Sequence, residues 1–442
     1  MVTGAASAAE KHRAFRLPTF LFMAWRNLWR YPVRSLLTMS ALAGGLAMVI
    51  LYDSLMVGMA RQMVVYATEI STGDLQIHRQ AYADDQDLYA TLPWAWLTRI
   101  EEDLPGLNVA PRLYAAGLAS VADASNGVMI RAVDPQRERT VTRMLGQVRR
   151  GQVDLGVVDH TARGLTRYGV VVGAQLAKNM QVGPGDELVL VTQAADGSIG
   201  NGLYVVTAVL KPVAPDFDRM GVLMSISAYR QLMVLNSGFH ELAVGLDGSR
   251  RLEDVQAALQ QELATLNQAM PLDKLGGPPQ VRSWKQLNPA VADMLSLSHA
   301  MTLIIGLIIV GLASLGMLNT MLMAVHERTQ EFGILLAIGM KKRWVLLMVL
   351  LEALCLSLLA ALAGALLGSL LGLRMERVGI DFSQALPEGY DWGGIVFEPV
   401  MKGYLLPSHV LYACLGMIVI ALLASVVPSW RSIRMKPAEV MR

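Results

Sequence analysis

Seven histidines, His12, His78, His160, His240, His299, His326 and His409, are the first residues to weigh for chemistry. None stands at a metal-binding spacing from another, and His326-Glu327 lacks the second histidine that a zinc-peptidase helix carries one turn on. His240-Glu241 reads as a lone, solvated polar pair. No Gly-x-x-x-x-Gly-Lys-Ser/Thr loop is present to cradle nucleotide phosphates, and no Gly-x-Ser-x-Gly elbow to raise a nucleophilic serine. Cys355 and Cys414 both fall in apolar runs, where cysteine packs as a small hydrophobe. The chain therefore reads as non-catalytic, with no metal and no cofactor of its own. The charges that remain are Glu327, Arg328 and Glu331 between two long apolar runs, and Glu352 inside the second run. A charge at the centre of a membrane span costs about 2.5–3.5 kcal/mol on insertion scales. Glu352 thus needs a partner; Arg26, Arg30 and Lys342 are the candidates, and a structural role is favoured over a proton or substrate relay.

The elements around these residues are set by composition. Of 442 residues 53% are hydrophobic and only 17% charged, against about 25% charged in a soluble domain. The deficit lies in runs long enough to span a bilayer, near 35–58, 301–324, 344–373 and 406–427. Lys and Arg cluster before the first run (Lys11, Arg13, Arg16, Arg26, Arg30, Arg34), between the second and third (Arg328, Lys341, Lys342, Arg343) and after the fourth (Arg431, Arg434, Lys436, Arg442). The connection 374–404 is acidic, with Glu376, Asp381, Glu388, Asp391 and Glu398. The positive-inside rule then puts both termini and 325–343 in the cytoplasm, and the long stretch after the first run outside. The first apolar run is too long for a cleaved signal and is expected to act as an anchor. Residues 18–31 read as an amphipathic helix at the membrane interface.

Two helices look longer than the membrane. Met56, Met59, Met63, Tyr66 and Ile70 continue the first run at heptad spacing, and Leu287, Val291, Met294, Ser298, Met301 and Ile305 lead into the second after an Asn288-Pro289 cap. Paired stalks projecting outward are expected. The outer stretch alternates as strands at 73–78, 127–133, 170–172, 187–191 and 203–210, with helices at 91–103, 141–146, 228–234 and 252–266. Two lobes follow, one continuous over about 168–234, the other built from 75–165 and 241–284. Gly364, Gly368 and Gly372 make a small-residue face suited equally to packing within the chain or between two chains. Ile334, Leu335 and Ile338 form an apolar stripe, and Gly339 stands where a helix C-cap is expected. A structured amphipathic helix between two spans reads as a docking surface.

The run 317–372, "MLNTMLMAVHERTQEFGILLAIGMKKRWVLLMVLLEALCLSLLAALAGALLGSLLG", resembles the FtsX-type permease domain of MacB-like mechanotransmitting ABC transporters. "AWRNLWRYPVRSLLTMSALAGGLAMVI" and "PSWRSIRMKPAEVMR" resemble the same family, and "STGDLQIHRQAY" with "VVVGAQLAKNMQVGPGDELVLVTQ" is similar to its lipoprotein-releasing, LolC/LolE-like branch. The resemblance implies a membrane protein of four transmembrane α-helices with an α+β periplasmic domain inserted between helices 1 and 2. Residues 1–34 would be a cytoplasmic N-terminus, 35–70 the first transmembrane helix and stalk, and 71–286 the periplasmic domain. Residues 287–325 would form the second stalk and helix, 326–343 a coupling helix, 344–373 the third helix, 374–405 a periplasmic loop, 406–429 the fourth helix and 430–442 a tail. It further implies that Glu327, Arg328, Glu331, Phe332, Gly333 and Gly339 meet a separate cytosolic ATPase, which binds ATP and Mg. A second permease chain, a lipoprotein or lipid cargo and a periplasmic partner protein are implied as well, in a cell inner membrane. Leu336 and Gln330 depart from the family, which commonly carries Arg at both positions. Efflux of small molecules and signalling to a periplasmic cell-wall hydrolase are the alternatives.

Overall fold

The computed structural model describes residues 17–122, 124–160, 166–248, 250–382, 390–392, 395–397 and 400–434. Expectations resting on Lys11, His12, Arg13, Arg16, Glu388, Glu398, Lys436 and Arg442 lie outside the described residues. The chain divides into a helical unit, Met1–Met59, Ser298–Ile380 and Met401–Arg442, and a mixed unit, Ala60–Leu297 and Asp381–Val400.

Four helices among the described residues are long and apolar enough to cross a membrane: Pro32–Thr72, Pro289–Glu327, Lys342–Arg377 and Pro407–Trp430. The first two run for 41 and 39 residues, roughly 60 Å each against a hydrocarbon core of about 30 Å. The first is α-helical over Pro32–Val65 and ends as a π-helix, Tyr66–Thr72, in which the Thr72 hydroxyl and the Gly73 N–H each donate to a carbonyl five residues back.

In the helical unit the first two long helices lie antiparallel. Thr38 donates to Thr320 at 3.0 Å, Gly45 abuts Ala313, Gly306 abuts Val49, and Ser298 reaches the Met56 sulfur. Leu42, Leu46 and Ile50 meet Met317, Leu356, Ala360, Met417 and Ala421 in one core. The glycine face packs within the chain. A Cβ on Gly364 would stand 2.7 Å from the Ala43 carbonyl, and one on Gly368 would stand 2.9 Å from the Ile50 Cβ. One on Gly372 would meet the Leu405 Cδ1 at 3.1 Å. Helices without large side chains at their contact approach closely and gain dispersion along the whole seam.

The mixed unit is built on an eleven-stranded sheet among the described residues. Its strands are β1 Leu75–Arg79, β2 Asn108–Val121, β3 Ala124–Val133, β4 Val148–Gly151, β5 Val157–His160, β6 Thr166–Val172, β7 Glu187–Gln193, β8 Ile199–Leu210, β9 Gly221–Ser225, β10 Glu241–Gly245 and β11 Pro279–Ser283. The order is β11-β1-β10-β2-β3-β9-β6-β8-β4, with β5 on β6 and β7 bridging β2 and β8. The pairs β3–β9 and β6–β8 are parallel. Alternate residues of one strand feed different clusters. Val170 and Val172 join the large core around Trp96, Tyr229 and Phe239, while Val171 joins Ile70, Met144 and Phe217.

Two expectations are revised here. The segments expected as separate lobes share this one sheet, because β3 pairs β9 and β2 pairs β7. The helix expected at 141–146 is instead Pro135–Val141, followed by a single turn at Met144–Gly146. Asp134 accepts from the N–H groups of Gln136 and Arg137 with Pro135 in the first turn, so the cap starts the helix before the apolar pattern begins.

Candidate functional site

The second long helix ends at Glu327. Arg328 leaves helical backbone and precedes a nine-residue helix, Thr329–Ala337. Gly339 closes that helix at φ 97°, a conformation that strains any residue with a Cβ. Its N–H donates to Leu336 O and the Met340 N–H to Leu335 O, the Schellman pattern of a fixed helix end. Lys341 then caps the third long helix, which starts at Lys342.

The short helix has an inner and an outer face. Phe332 is buried with Phe20, Val325, Val345, Met348 and Val349, and Gly333 is buried next to it. Phe20 comes from the N-terminal helix Leu17–Leu28 and stacks on Trp344 with centroids 5.2 Å apart. Leu335 packs toward the same cluster, whereas Ile334 and Ile338 are 54% and 75% exposed. The expected stripe is therefore split: the helix seats itself through Phe332 and Leu335 and leaves an isoleucine pair in the open.

Charges fasten the segment. Glu327 takes both guanidinium nitrogens of Arg34 at 2.8 Å. Glu331 takes Arg30 on one oxygen and Arg328 on the other, the latter at 3.0 Å. Arg328 also donates to Glu352 at 3.0 Å and lies over the Phe332 ring. Burial pushes the Glu331 carboxyl up, but hydrogen bonds from Arg30 and Arg328 hold it below the usual glutamate range.

Glu352 is thus paired with Arg328, not with Arg26, Arg30 or Lys342, because Arg328 turns inward where the second helix stops. Of the residues expected to face a partner, Arg328, Phe332 and Gly333 are buried; Glu327 and Glu331 are partly exposed but engaged; Gly339 shapes the turn. Arg30 and Arg34 both belong to the site, although the sequence alone marks Arg34 as membrane-flanking charge and Arg30 as that and as a candidate partner for Glu352. Their spacing of four matches that of Glu327 and Glu331, and this was the legible signal.

A second charged cluster lies in the mixed unit. Arg112 on β2 is fully buried and donates to Glu138 at 2.6 and 3.0 Å and to Glu241 on β10 at 2.8 Å. Glu241 stands opposite Arg112 in the strand register. Burial pushes the Glu138 carboxyl up, yet the Arg112 charge and hydrogen bonds hold it below the usual range. The pair His240-Glu241, expected to be solvated, is buried. His240 Nδ1 accepts from the Tyr114 N–H at 2.9 Å and Nε2 lies 2.9 Å from Leu88 O, the geometry of a neutral ring; burial takes it down to about 4. Among the described residues no three His, Cys, Asp or Glu side chains converge to hold a metal. In both clusters the charges are paired with one another, and the pairs tie helices and strands together.

The family model described as FtsX-like permease C-terminal matches residues 303–437, and that of the MacB-like periplasmic core domain matches 35–262, more than half of the 442 residues. The periplasmic region of MacB from Actinobacillus actinomycetemcomitans is similar at 10% identity and TM-score 0.34, over 51% of this chain and 94% of that one. The extracellular domain of the noncanonic ABC-type transporter YknZ from Gram-positive bacteria is similar at 12% identity and TM-score 0.30, over 48% of this chain and 100% of that one. No curated protein matches the chain. Taken with the apolar helices and the α+β unit, the two family matches mean that the chain belongs to the MacB/FtsX-like family of ABC transporter permeases, which work with a cytosolic ABC ATPase.

Proposed function

We propose that this chain is an inner-membrane permease subunit that receives a separate cytosolic ATPase on residues 326–343 and performs work beyond the bilayer through its α+β unit. The work is extraction of a lipoprotein or another amphiphile from the outer leaflet, by a pair of permease chains whose ATP and Mg are held by the ATPase. One observation carries this reading: the segment Glu327–Ala337, which holds the short helix, is capped at its end and fastened to three elements at once. Arg34 ties it to the first long helix through Glu327, Arg30 to the preceding turn through Glu331, and Arg328 to the third long helix through Glu352. A push on such a helix moves the long helices instead of dissipating in a loop. Charge-assisted hydrogen bonds are about twice as strong as neutral ones, which suits a load-carrying joint. The concentration of Lys and Arg near this end of the helices supports its cytoplasmic side, and the length of the first two helices supports transmission past the bilayer.

Two double variants test the reading on the full chain with the ATPase that co-purifies with it. Ile334→Asp with Ile338→Asp should abolish ATPase retention, since both side chains are exposed and nothing in the fold needs them. Glu327→Ala with Glu331→Ala should retain the ATPase but lose stimulation of its turnover. Full retention and full stimulation in both would remove residues 326–343 as the docking segment.

A further inference from the structure

A cavity of about 440 Å³ opens in the mixed unit where the two long helices reach it. Tyr66 lines it from the π-helical end of the first, and Asn288 and Val291 from the start of the second. Met129 and Arg131 of β3 and Phe217 supply the opposite wall. Most of this lining is apolar or aromatic, yet it contains a cation with no carboxylate in direct contact, Glu138 acting on it only through space. The Arg131 guanidinium lies over the rings of Tyr114 and Phe217 at 5.3 and 5.6 Å. Its Nη1 donates only to the Met144 sulfur, a weak acceptor, at 3.5 Å. Its Nε is buried with no hydrogen-bond partner, and so is the Asn288 amide nitrogen. Among the described residues no carboxylate stands within ion-pair distance of Arg131. Asp216, also in the lining, is taken by Arg219 at 2.9 Å.

A half-buried cation in an apolar wall, with two orphan N–H donors buried just behind the surface, is complementary to an anionic group carried on an apolar chain. We propose that this cavity binds an amphiphile with a single anionic head, a carboxylate or a phosphate monoester, on an apolar chain. A small side-chain rotation turns Arg131 and Asn288 onto the head, and Tyr66, Met129, Val291 and Phe217 cover the first carbons of the chain. Because the walls include the ends of both long helices, an occupant holds those ends at one spacing, and binding and helix position become linked in both directions. For the occupant's role as cargo or effector this inference rests on the function proposed above; the binding itself is measurable without any ATPase.

The test uses the full chain in nanodiscs of zwitterionic phospholipid and a photoreactive alkyl phosphate, with the labelled peptides mapped by mass spectrometry. Saturable labelling of peptides containing Met129 or Phe217 is expected. Laurate and dodecyl phosphate should compete, while dodecanol and inorganic phosphate should not. Arg131→Gln removes a charged donor and should weaken labelling about tenfold or more. Since Arg131 also packs on two rings, Met129→Trp, which fills the cavity and leaves every polar group in place, should do the same. Labelling that survives Met129→Trp, competition by dodecanol (an apolar slot only) or competition by inorganic phosphate alone (a small-anion site only) would each overturn the proposal. The Ile334→Asp, Ile338→Asp chain should label like the parent, so a failure of the cavity and a failure of ATPase docking are read separately.

Discussion

Arg112 and Arg328 are both buried arginines shared by two glutamates, but their surroundings differ. Around Arg112 the network is closed: its own side chain and those of Glu138 and Glu241 are 0%, 2% and 7% exposed. Arg328 and Glu352 are 10% and 11% exposed, and from them the exposure climbs outward to 40% at Glu331 and 53% at Arg30. A closed network offsets its own desolvation only if every member stays, so it fixes one arrangement of strands. A graded ladder has a dry end that is expensive to break and a wet end whose contacts contribute little. Such a wet end can exchange partners while the dry end keeps hold of the helices.

The sharpest way to break this contrast is Arg112→Met. It strands two buried carboxylates and should destabilise the mixed unit by about 3–5 kcal/mol, read by urea denaturation of the full chain with tryptophan fluorescence. A loss below about 1 kcal/mol would make Arg112 another surface-like pair and erase the difference between the regions.

His240 sharpens the same side of the contrast through pH. Its folded value, about 4, lies below the ordinary 6.5 because burial disfavours the charged ring. The neutral folded form is therefore fully stabilising above 6.5, and stability falls as pH drops from there toward 4, on the order of 3 kcal/mol in all. Glu138, held low by Arg112, adds a second loss only once pH passes below the usual carboxylate range. His240→Asn should flatten the first window and leave the second. Equal slopes in parent and variant between pH 6.5 and 4 would contradict the buried, neutral ring.

On the helical side, Gly364→Leu forces side-chain atoms against the Ala43 backbone and should cost about 1–3 kcal/mol. Gly372→Leu meets the movable tip of Leu405 and, at ordinary contact distance, the Ser54 side chain, and should cost less. Thermal unfolding in detergent ranks the two; a reversed order would refute packing on the first helix. Smallest of all should be Glu331→Gln, under about 1 kcal/mol in stability, while ATPase stimulation drops. A large unfolding penalty there would show that the ladder has no wet end.

Much of this architecture was legible in the chain. Heptad spacing through Ile70 and the Asn288-Pro289 cap announced two overlong helices, and these run Pro32–Thr72 and Pro289–Glu327. The strands expected at 187–191 and 203–210 fall within β7 and β8, which pair as a hairpin across Asp196-Gly197-Ser198. The central strand β2 was not seen, since its Pro111 and run of alanines mimic a loop, and it forms because β10, β3 and β7 all pair with it. In the candidate site Gly339 was visible from its place after the apolar stripe and the glutamates from the family resemblance, but the inward turn of Arg328 was not. That turn depends on Glu352, a full 24 residues away on another helix.

By itself the sequence determined the lengths of the apolar runs, where Lys and Arg gather, and where Gly339 ends a helix. These properties are local and additive: transfer into hydrocarbon sums residue by residue, and a cap needs only its own turn. Only the tertiary structure decided which charge meets which, that the glycine face lies against the first helix of the same chain, and that one sheet runs through both outer segments. Those outcomes depend on groups brought together across the chain, as Arg30 and Glu331 are across 301 positions, and no periodicity along the sequence encodes such a meeting.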